Sequence, residues 1–600
     1  MAKCYDNFSR EELIELLNKQ DKELVLKKYG LVWDTEKEPE KVVMDCQNNL
    51  PILQRISEKE IKTNDTDYNI LIEGDNFHAL SVLNYTHKNK IDVIYIDPPY
   101  NTGNKDFIYN DSYVDREDGY RHSKWLNFME KRLNLAKNLL SEDGIIFISI
   151  DDNEQANLKL ICDKIFGETN KIGILPTIMN LKGNQDEFGF AGTHEYTFVY
   201  AKDKNNATIN EFQIDDDALE SWQEDEIGLY KKGATLKRTG NDAPRERRPY
   251  GYFPILVKKD TFQVCSILKE EFEKIYDCQN NVFDDNFVEQ LKLKYENKFF
   301  FILPEIDRIK VSWRWQYRKV KNESNEIIVT NGRDGITLYK KQRPEIGDVP
   351  TKKPKSLLYK AVYSSGNGTN RLKILFGEKK FNNPKPVELI KDLIFLGGDK
   401  NITILDFTAG SGTTADAVIQ LNKEDSGKRK FILCTNNENQ ICTEVCYPRI
   451  EKVINGYNKN GNGEFIDGLG GNLQYFKTDF IKNSENIEQL KVNLTYKCTE
   501  MLCLKENIYN LKEEQEDYKI FESNKKDKYL CVYYNFINNS FEDFLSTLKK
   551  LEGQKIIYMF SMDDRIDNEL FAEINNYKIE TIPQKILDIY KKIIKENVRG

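Results

Sequence analysis

Residues 91–100 read Ile91-Asp92-Val93-Ile94-Tyr95-Ile96-Asp97-Pro98-Pro99-Tyr100, and the fold turns on this stretch. Its first six positions form an apolar run without strict polar alternation, as expected of a strand buried on both faces of a parallel sheet. The run closes on Asp97-Pro98-Pro99-Tyr100, and open parallel sheets place their active sites where such strands end. Two consecutive prolines donate no backbone hydrogen bonds and hold a stiff, extended turn. Their carbonyls face outward as acceptors, Asp97 adds a carboxylate and Tyr100 adds a flat ring. Together they form a receptor for a planar group that carries an exocyclic amine. The amine donates one hydrogen to Asp97 and one to the Pro98 carbonyl, and its ring stacks on Tyr100.

The same alternation of strand and helix extends outward. Upstream, a strand over 69–72 ends in Glu73-Gly74-Asp75-Asn76 and a helix follows over 77–84. Downstream come a helix over 125–140, a strand over 144–150, a helix over 153–166 and a strand over 195–201. Residues 202–380 break the rhythm with basic, aromatic stretches such as Pro244-Arg245-Glu246-Arg247-Arg248-Pro249-Tyr250 and Trp313-Arg314-Trp315. The rhythm resumes with a helix over 386–394, a strand over 402–405, the turn Asp406-Phe407-Thr408-Ala409-Gly410-Ser411-Gly412-Thr413-Thr414, a helix and a strand over 430–434. Helices are expected at 11–19 and 22–29, in a packing or subunit-contact role. Beyond 480, short strands and helices alternate again. The expected organisation is an N-terminal helical segment (1–65), a catalytic half (66–201), an insert (202–380), a cofactor half (381–480) and a small C-terminal α/β module (481–600).

The glycine turn lets a ligand approach the backbone closely, beside free N–H groups at a helix start. Glu438 lies about 26 residues beyond Gly412, near the offset of roughly 20 at which an acidic residue meets a ribose. Asp75, at a neighbouring strand end, is a candidate for the adenine part of a cofactor and equally a helix cap. Thr413 and Thr414 are candidates for a carboxylate, or caps in their turn.

With 600 residues the chain exceeds one core, and 39% hydrophobic with 12% aromatic residues excludes wholesale disorder. Net charge is −9, which taken whole argues against nucleic acid. Residues 305–380, however, carry 18 Lys and Arg against 8 Asp and Glu, and residues 228–260 carry 9 against 3. The flanking acidic runs are Asp215-Asp216-Asp217 and Glu224-Asp225-Glu226. Two basic blocks in one third of the chain point to a polyanion. Eleven cysteines without a CxxC pair, and only four histidines, speak against a disulfide framework or a zinc site. No apolar run approaches the about 18–20 residues of a membrane span, and the expected location is the cytoplasm.

These motifs resemble the amino-methylating DNA methyltransferases of the circularly permuted β group, in which the DPPY tetrad precedes the glycine motif. Further stretches look like the modification (Mod) subunits of type III restriction–modification systems. They include Leu71-Ile-Glu-Gly-Asp-Asn76, Phe107-Ile-Tyr-Asn-Asp111, His194-Glu195-Tyr196, Arg238-Thr-Gly240, Trp313-Arg-Trp315 and Asn382-Asn-Pro-Lys-Pro386. The similarity spans roughly residues 65–450. It implies an α/β Rossmann-like methyltransferase sheet with an inserted DNA target-recognition domain, and catalysis by Asp97, Pro98, Pro99 and Tyr100. It implies S-adenosyl-L-methionine as cofactor, held by Asp75, Asp406, Phe407, Gly410, Gly412, Thr413 and Glu438, with no metal. The substrate implied is an adenine flipped out of double-stranded DNA and methylated at N6. DNA contacts are expected from Arg238, Arg245, Arg247, Arg248, Arg314 and Arg318, whereas Trp313, Trp315 and His194 are read as structural. A homodimer and a restriction (Res) partner subunit are also implied.

One position departs from the family pattern. The aromatic two residues before the first glycine is here Thr408, and a phenylalanine stands one place earlier, at Phe407. Competing readings are a solitary adenine methyltransferase, a cytosine-N4 enzyme (where serine commonly replaces the aspartate), an RNA or protein amine methyltransferase and a non-catalytic specificity subunit. A nicotinamide-dependent oxidoreductase would explain the glycine turn and Glu438 but not Asp97–Tyr100.

Overall fold

The computed structural model describes residues 40–598, except 181, 184–188, 214–221, 333–334, 344–350, 460–463, 484–485 and 535–539, together with Ile14, Leu17 and Trp33. The helices expected at 11–19 and 22–29 lie outside the described residues but for Ile14 and Leu17, as does Asp215-Asp216-Asp217. The chain divides into two compact units, Met1–Asn210 with Lys355–Gly600, and Glu211–Pro354.

The first unit is built on one large sheet. Its main strands in chain order are β1 (Asn49–Arg55), β2 (Asn69–Glu73), β3 (Ile91–Ile96), β4 (Leu140–Ile150), β5 (Lys171–Ile178), β6 (His194–Ala201), β7 (Thr403–Asp406), β8 (Lys430–Thr435) and β9 (Asn472–Lys482), and the two-residue strand Ile61–Lys62 pairs with β9 off the main path. In space they run β1-β9-β2-β8-β7-β3-β4-β6-β5. The ladder from β9 to β4 is parallel, and β1 and β6 run against it. The apolar strands are therefore covered on both faces. Ile94, Ile96, Ile146 and Ile148 join the core under the helices Asn76–Thr86 and Arg121–Leu139. Val93 and Phe147 meet the helix Val387–Gly397 on the other side.

The circular order of the motifs is resolved by pairing. β7, which leads into the glycine turn, lies directly beside β3, with Ile404 opposite Val93 and Leu405 opposite Ile94. β8 pairs with β7 and β2 in turn, bringing Leu433 opposite Asp406 and Thr435 opposite Glu73. Four adjacent strands thus end at one edge, with Gly74, Asn436, Phe407 and Asp97 as their first outgoing residues and Asp75 next after Gly74.

The described part of 1–65 differs from the helical segment expected there. After the helix Lys41–Asn48 the chain enters β1, where Leu50-Pro51-Ile52-Leu53 is buried. Pro51 is tolerated because β1 is an edge strand that pairs only with β9. The C-terminal segment carries its own five-stranded sheet (Asn510–Glu514, Tyr518–Glu522, Lys528–Tyr533, Gln554–Phe560, Tyr577–Ile582). Its Leu530, Val532, Tyr558 and Ile582 share the core of the large sheet, so this α/β segment is fused to the sheet unit. Among the described residues no helix is long and apolar enough to cross a membrane.

The second unit is narrower than the expected insert at 202–380, since residues 355–380 fold with the sheet, through the helix Ser365–Phe376. It holds a four-stranded and a three-stranded antiparallel sheet around Tyr252, Phe253, Leu256 and Trp313. Trp313 is buried, with its Nε1 donating to the Phe253 carbonyl at 2.7 Å, and Trp315 packs partly buried on the same core.

Candidate active site

The proline corner at the end of β3 is held from three sides. The Asp97 N–H donates to Thr408 Oγ1 at 2.9 Å, which ties the corner to the strand end of β7. Trp125 Nε1 donates to the Pro99 carbonyl at 2.7 Å. Asn101, buried and at φ 57°, donates from Nδ2 to Glu154 Oε1 at 2.5 Å and to the Arg121 carbonyl at 3.2 Å. Of the two proline carbonyls expected to face outward, Pro99 is thus occupied. No described residue donates to that of Pro98.

Trp125→Phe keeps an aromatic in the core but removes the only donor described for the Pro99 carbonyl. A buried acceptor left unpaired costs about 1–3 kcal/mol. The variant is expected to unfold at lower denaturant concentration as the corner loosens, and urea melts check this.

Asp97, Pro98 and Tyr100 line a cleft of about 1020 Å³, together with Phe381, Asn383 and Lys385. Lys385 comes from Asn382-Asn-Pro-Lys-Pro386 and Glu195 from β6, and both are more than nine-tenths buried. The Lys385 ammonium donates to Tyr100 Oη at 2.6 Å and to Glu195 Oε2 at 3.0 Å, and stands 3.2 Å from Asp97 Oδ1. Tyr100 Oη in turn donates to Glu195 Oε2 at 3.1 Å. The Asp97 contact is an ion pair off the hydrogen-bond direction, so Asp97 Oδ1, like Glu195 Oε1, is buried without a hydrogen-bond donor. Burial pushes the Glu195 carboxyl upward against the pull of Lys385, and burial with the charge of Asp97 pushes the Tyr100 phenol well above its ordinary value. Although burial opposes its charge, the carboxylates of Asp97 and Glu195 hold the Lys385 ammonium above its ordinary range.

The glycine turn sits beside this cleft. Gly410 (φ 50°) and Gly412 (φ 76°) take the left-handed conformation that favours glycine, and the helix Thr413–Asp425 starts at once. Asp406 lies beneath the turn and accepts from Thr414 Oγ1 at 2.6 Å and the Thr408 N–H at 3.0 Å. Burial, with the charge of Asp97 adding to it, lifts this carboxyl to about 7. Arg449 donates to Thr413 Oγ1 at 2.9 Å and Ser411 Oγ at 3.2 Å.

The expected cofactor residues are therefore distributed unevenly. Gly410 and Gly412 shape the turn. Asp406, Phe407 and Thr413 are buried, and the side chains of Asp406 and Thr413 are committed to other protein groups. Asp75 caps the helix Asn76–Thr86 through the Phe77 N–H at 2.7 Å. Glu438 is exposed on the turn Glu438–Gln440, whose Asn439 lines the cleft. Sequence reasoning gave no role to Phe381, Lys385 or Glu195, and treated Thr408 only as a departure. Phe381 packs against Gly410, its ring 3.4 Å from where a β-carbon would stand. His194 is exposed and meets Tyr196 edge-on at 5.2 Å.

Residues 91–445 match the N6/N4 methyltransferase family described as DNA methylase. The chain is 40% identical over 464 residues to the type III restriction–modification enzyme EcoPI Mod subunit of Escherichia phage P1, covering 72% of this chain and 68% of that one. It is 31% identical over 392 residues to the type II methyltransferase M.KpnI of Klebsiella pneumoniae, covering 65% and 85%. The StyLTI Mod subunit of Salmonella typhimurium is 31% identical over 441 residues, covering 67% and 58%. The chain belongs to the N6/N4 DNA methylase family. It is a DNA methyltransferase that uses S-adenosyl-L-methionine. The residues present fit that group: a glycine turn without crowding β-carbons, unpaired N–H groups at a helix start and the exposed Glu438. Among the described residues no cluster of three or more His, Cys, Asp or Glu side chains is placed to hold a metal ion.

In the second unit of this DNA methylase the six expected arginines differ in availability. Arg245 is bidentate to Asp285 at 2.6 and 2.9 Å and lies over the Tyr252 and Phe283 rings. Its guanidinium is engaged inside the unit by that pair. Arg314, although exposed, donates to the Thr235 carbonyl and Thr239 Oγ1, and Arg247 pairs loosely with Asp242 at 3.1 Å. Arg248 and Arg318 are exposed, and Arg238 keeps a buried Nε without a hydrogen-bond partner. Asp225, read earlier as part of an acidic flank, is the internal partner of Lys341 and Arg343.

Proposed function

We propose that the chain methylates N6 of an adenine flipped out of duplex DNA, as the modification subunit of a type III restriction–modification system. It works as a homodimer with a restriction subunit as partner, in the cytoplasm. The Asp97 N–H···Thr408 Oγ1 bond carries this reading, because it fastens the amine receptor to the glycine turn. The 40% identity to a Mod subunit supports the assignment of system and base.

An exocyclic amine is a poor nucleophile because its lone pair is delocalised into the ring. Donating to Asp97 and the Pro98 carbonyl favours a tetrahedral nitrogen and frees the pair. S-adenosyl-L-methionine, when bound, supplies an electrophilic methyl group. As the amine gains its methyl group, Asp97 would face the positive charge growing on nitrogen. It is then the acceptor nearest the proton that the amine sheds. Tyr100 offers the stacking face that offsets lost base stacking.

The test is nucleoside mass spectrometry of DNA from cells expressing the chain, with single-molecule sequencing for the site. N6-methyladenine at one sequence is expected, and N4-methylcytosine or unmodified DNA would overturn the reading. Sedimentation should give twice the chain mass.

The second unit offers a graded test of DNA contacts. Arg248→Ala and Arg318→Ala are each expected to weaken binding uniformly across sequences and to lower the salt slope by about 1. Arg245→Ala should leave that slope unchanged and lower the unit's stability, since Asp285, held down at about 2 by Arg245 and Lys310, loses its main partner. Fluorescence anisotropy across a salt series separates the two classes.

A further inference from the structure

We propose that Lys385 and Glu195 form a charge-setting pair that holds Asp97 as an ionised acceptor and fixes Tyr100 for stacking. This inference rests on the reading that Asp97 receives the substrate amine. The Lys385 ammonium has three hydrogens and meets three oxygens: Tyr100 Oη at 2.6 Å, Glu195 Oε2 at 3.0 Å and Asp97 Oδ1 at 3.2 Å. Tyr100 passes its own hydrogen to Glu195 at 3.1 Å, so its phenol is satisfied on both sides and the ring is set in one orientation. Lys385 also lies 4.9 Å from the centre of that ring.

The count of charges gives the pair its function. Asp97, half-buried, and Glu195, buried, share one ammonium and so leave one negative charge to meet the positive charge that grows on the amine; Asp406, one strand over, adds to it only as it ionises around and above about 7. The other titratable groups facing Asp97 are Tyr95 and Tyr100 from the β3 segment and Asp406 from β7. The phenols are raised well above neutrality by burial, first of all, and stay uncharged. Without Lys385, Asp97 and Glu195 would confront each other as like charges, and one of them would take up a proton at neutral pH. A protonated Asp97 is neutral and no longer meets the positive charge that grows on the amine. Without Glu195, Lys385 would instead cancel the Asp97 charge, leaving an ionised but weaker partner for the transition state. Lys385 and Glu195 are thus positioning residues that act through Asp97 and Tyr100.

The two single variants are expected to move the acid limb of the kcat–pH profile in opposite directions, which a packing defect would not do. Lys385→Met should lower kcat at pH 7 by about 100-fold and shift the limb up by more than one pH unit. Glu195→Gln should lower kcat about tenfold and shift the limb down. The double variant keeps Asp97 as a lone carboxylate and should recover at least about tenfold over Lys385→Met. Lys385→Arg should retain the wild-type limb. Calorimetric binding of S-adenosyl-L-methionine should stay within about twofold throughout. Binding of duplex carrying 2-aminopurine at the target base should show the same limb shifts by fluorescence, independently of turnover. Should Lys385→Met fail to fold, Glu195→Gln and Lys385→Arg still decide the matter. Limbs that shift together or not at all, or a double variant no better than Lys385→Met, overturn the inference. A wild-type chain that makes no N6-methyladenine overturns the underlying reading instead.

Discussion

Asp97→Ala is expected to slow methyl transfer by at least about 10³-fold while the chain stays folded. On the proposed reading this carboxylate is the charged acceptor for the substrate amine, and the Pro98 carbonyl beside it is a neutral acceptor that cannot replace it. The truncation spares the framework. The Asp97 N–H still reaches Thr408 Oγ1, the Pro99 carbonyl still receives Trp125 Nε1, and Lys385 keeps Glu195 as its counter-ion. Cofactor affinity should therefore change little, because the glycine turn and Glu438 are untouched. Asp97→Asn keeps an acceptor oxygen but loses the charge that meets the growing cation, and should fall between wild type and alanine. Single-turnover transfer to a duplex with one target adenine, beside calorimetric cofactor binding, separates chemistry from binding. Full transfer by Asp97→Ala would remove Asp97 from the chemistry altogether.

Six strands of the sheet, β2, β3, β4, β6, β7 and β8, could be read from the sequence because each holds a short apolar run with a clear stop, whereas β5 and β9 were not read. The run 91–96 ends at two prolines and the run at 403–406 ends at a glycine turn, so neither boundary depended on partners elsewhere. β1 was not legible, since Leu50-Pro51-Ile52-Leu53 is brief and interrupted by proline, and only its place at the sheet edge makes it a strand. The boundaries of the insert were blurred for a related reason. Residues 355–380 carry six Lys and Arg against one Glu and continue the basic block that begins at 305, yet they fold with the sheet.

At the site, local motifs announced themselves and long-range partners did not. Lys385 stands 285 residues from Tyr100 and 190 from Glu195, and only topology joins them. A signal was nonetheless present: a lysine between two prolines and a glutamate opening an apolar strand are ionisable groups in buried surroundings, and such groups need a partner. Thr408 is the clearest case of a residue misjudged by its type. Compared with the family pattern it was a missing aromatic, whereas in space its hydroxyl accepts the Asp97 N–H, which a phenylalanine cannot do. A ring is present all the same, carried by Phe381 against Gly410. Conversely Asp406 and Phe407 stood where ligand contacts were expected and are buried, with Asp406 accepting from Thr414 Oγ1 and the Thr408 N–H.

The glycine turn itself depends on a charge that no local motif records, and Asp416→Ala is expected to expose this as the largest stability loss in the chain. Asp416, fully buried in the helix Thr413–Asp425, accepts from Arg371 at 3.0 and 3.0 Å and from Arg449 at 3.1 and 3.0 Å. Burial opposes its charge, but the guanidiniums of Arg449 and Arg371 prevail and hold the carboxyl at about 2. Removing one partner from a buried ion network leaves uncompensated charge and costs about 3–5 kcal/mol. Here Arg449, itself fully buried, would be left without its counter-ion. It would also lose the anchor from which it reaches Ser411 and Thr413, so cofactor affinity should fall together with stability. Because the folded-state value is depressed, the contribution of Asp416 is present above the unfolded value near 4 and is lost as pH falls towards about 2. The gap between wild type and Asp416→Ala in urea unfolding should accordingly be widest at neutral pH and close on acidification. Asp416→Asn, which keeps an acceptor without the charge, should lie between them at pH 7. A gap that stayed constant down to pH 3 would mean that packing around the helix, and not the ion network, holds the turn in place.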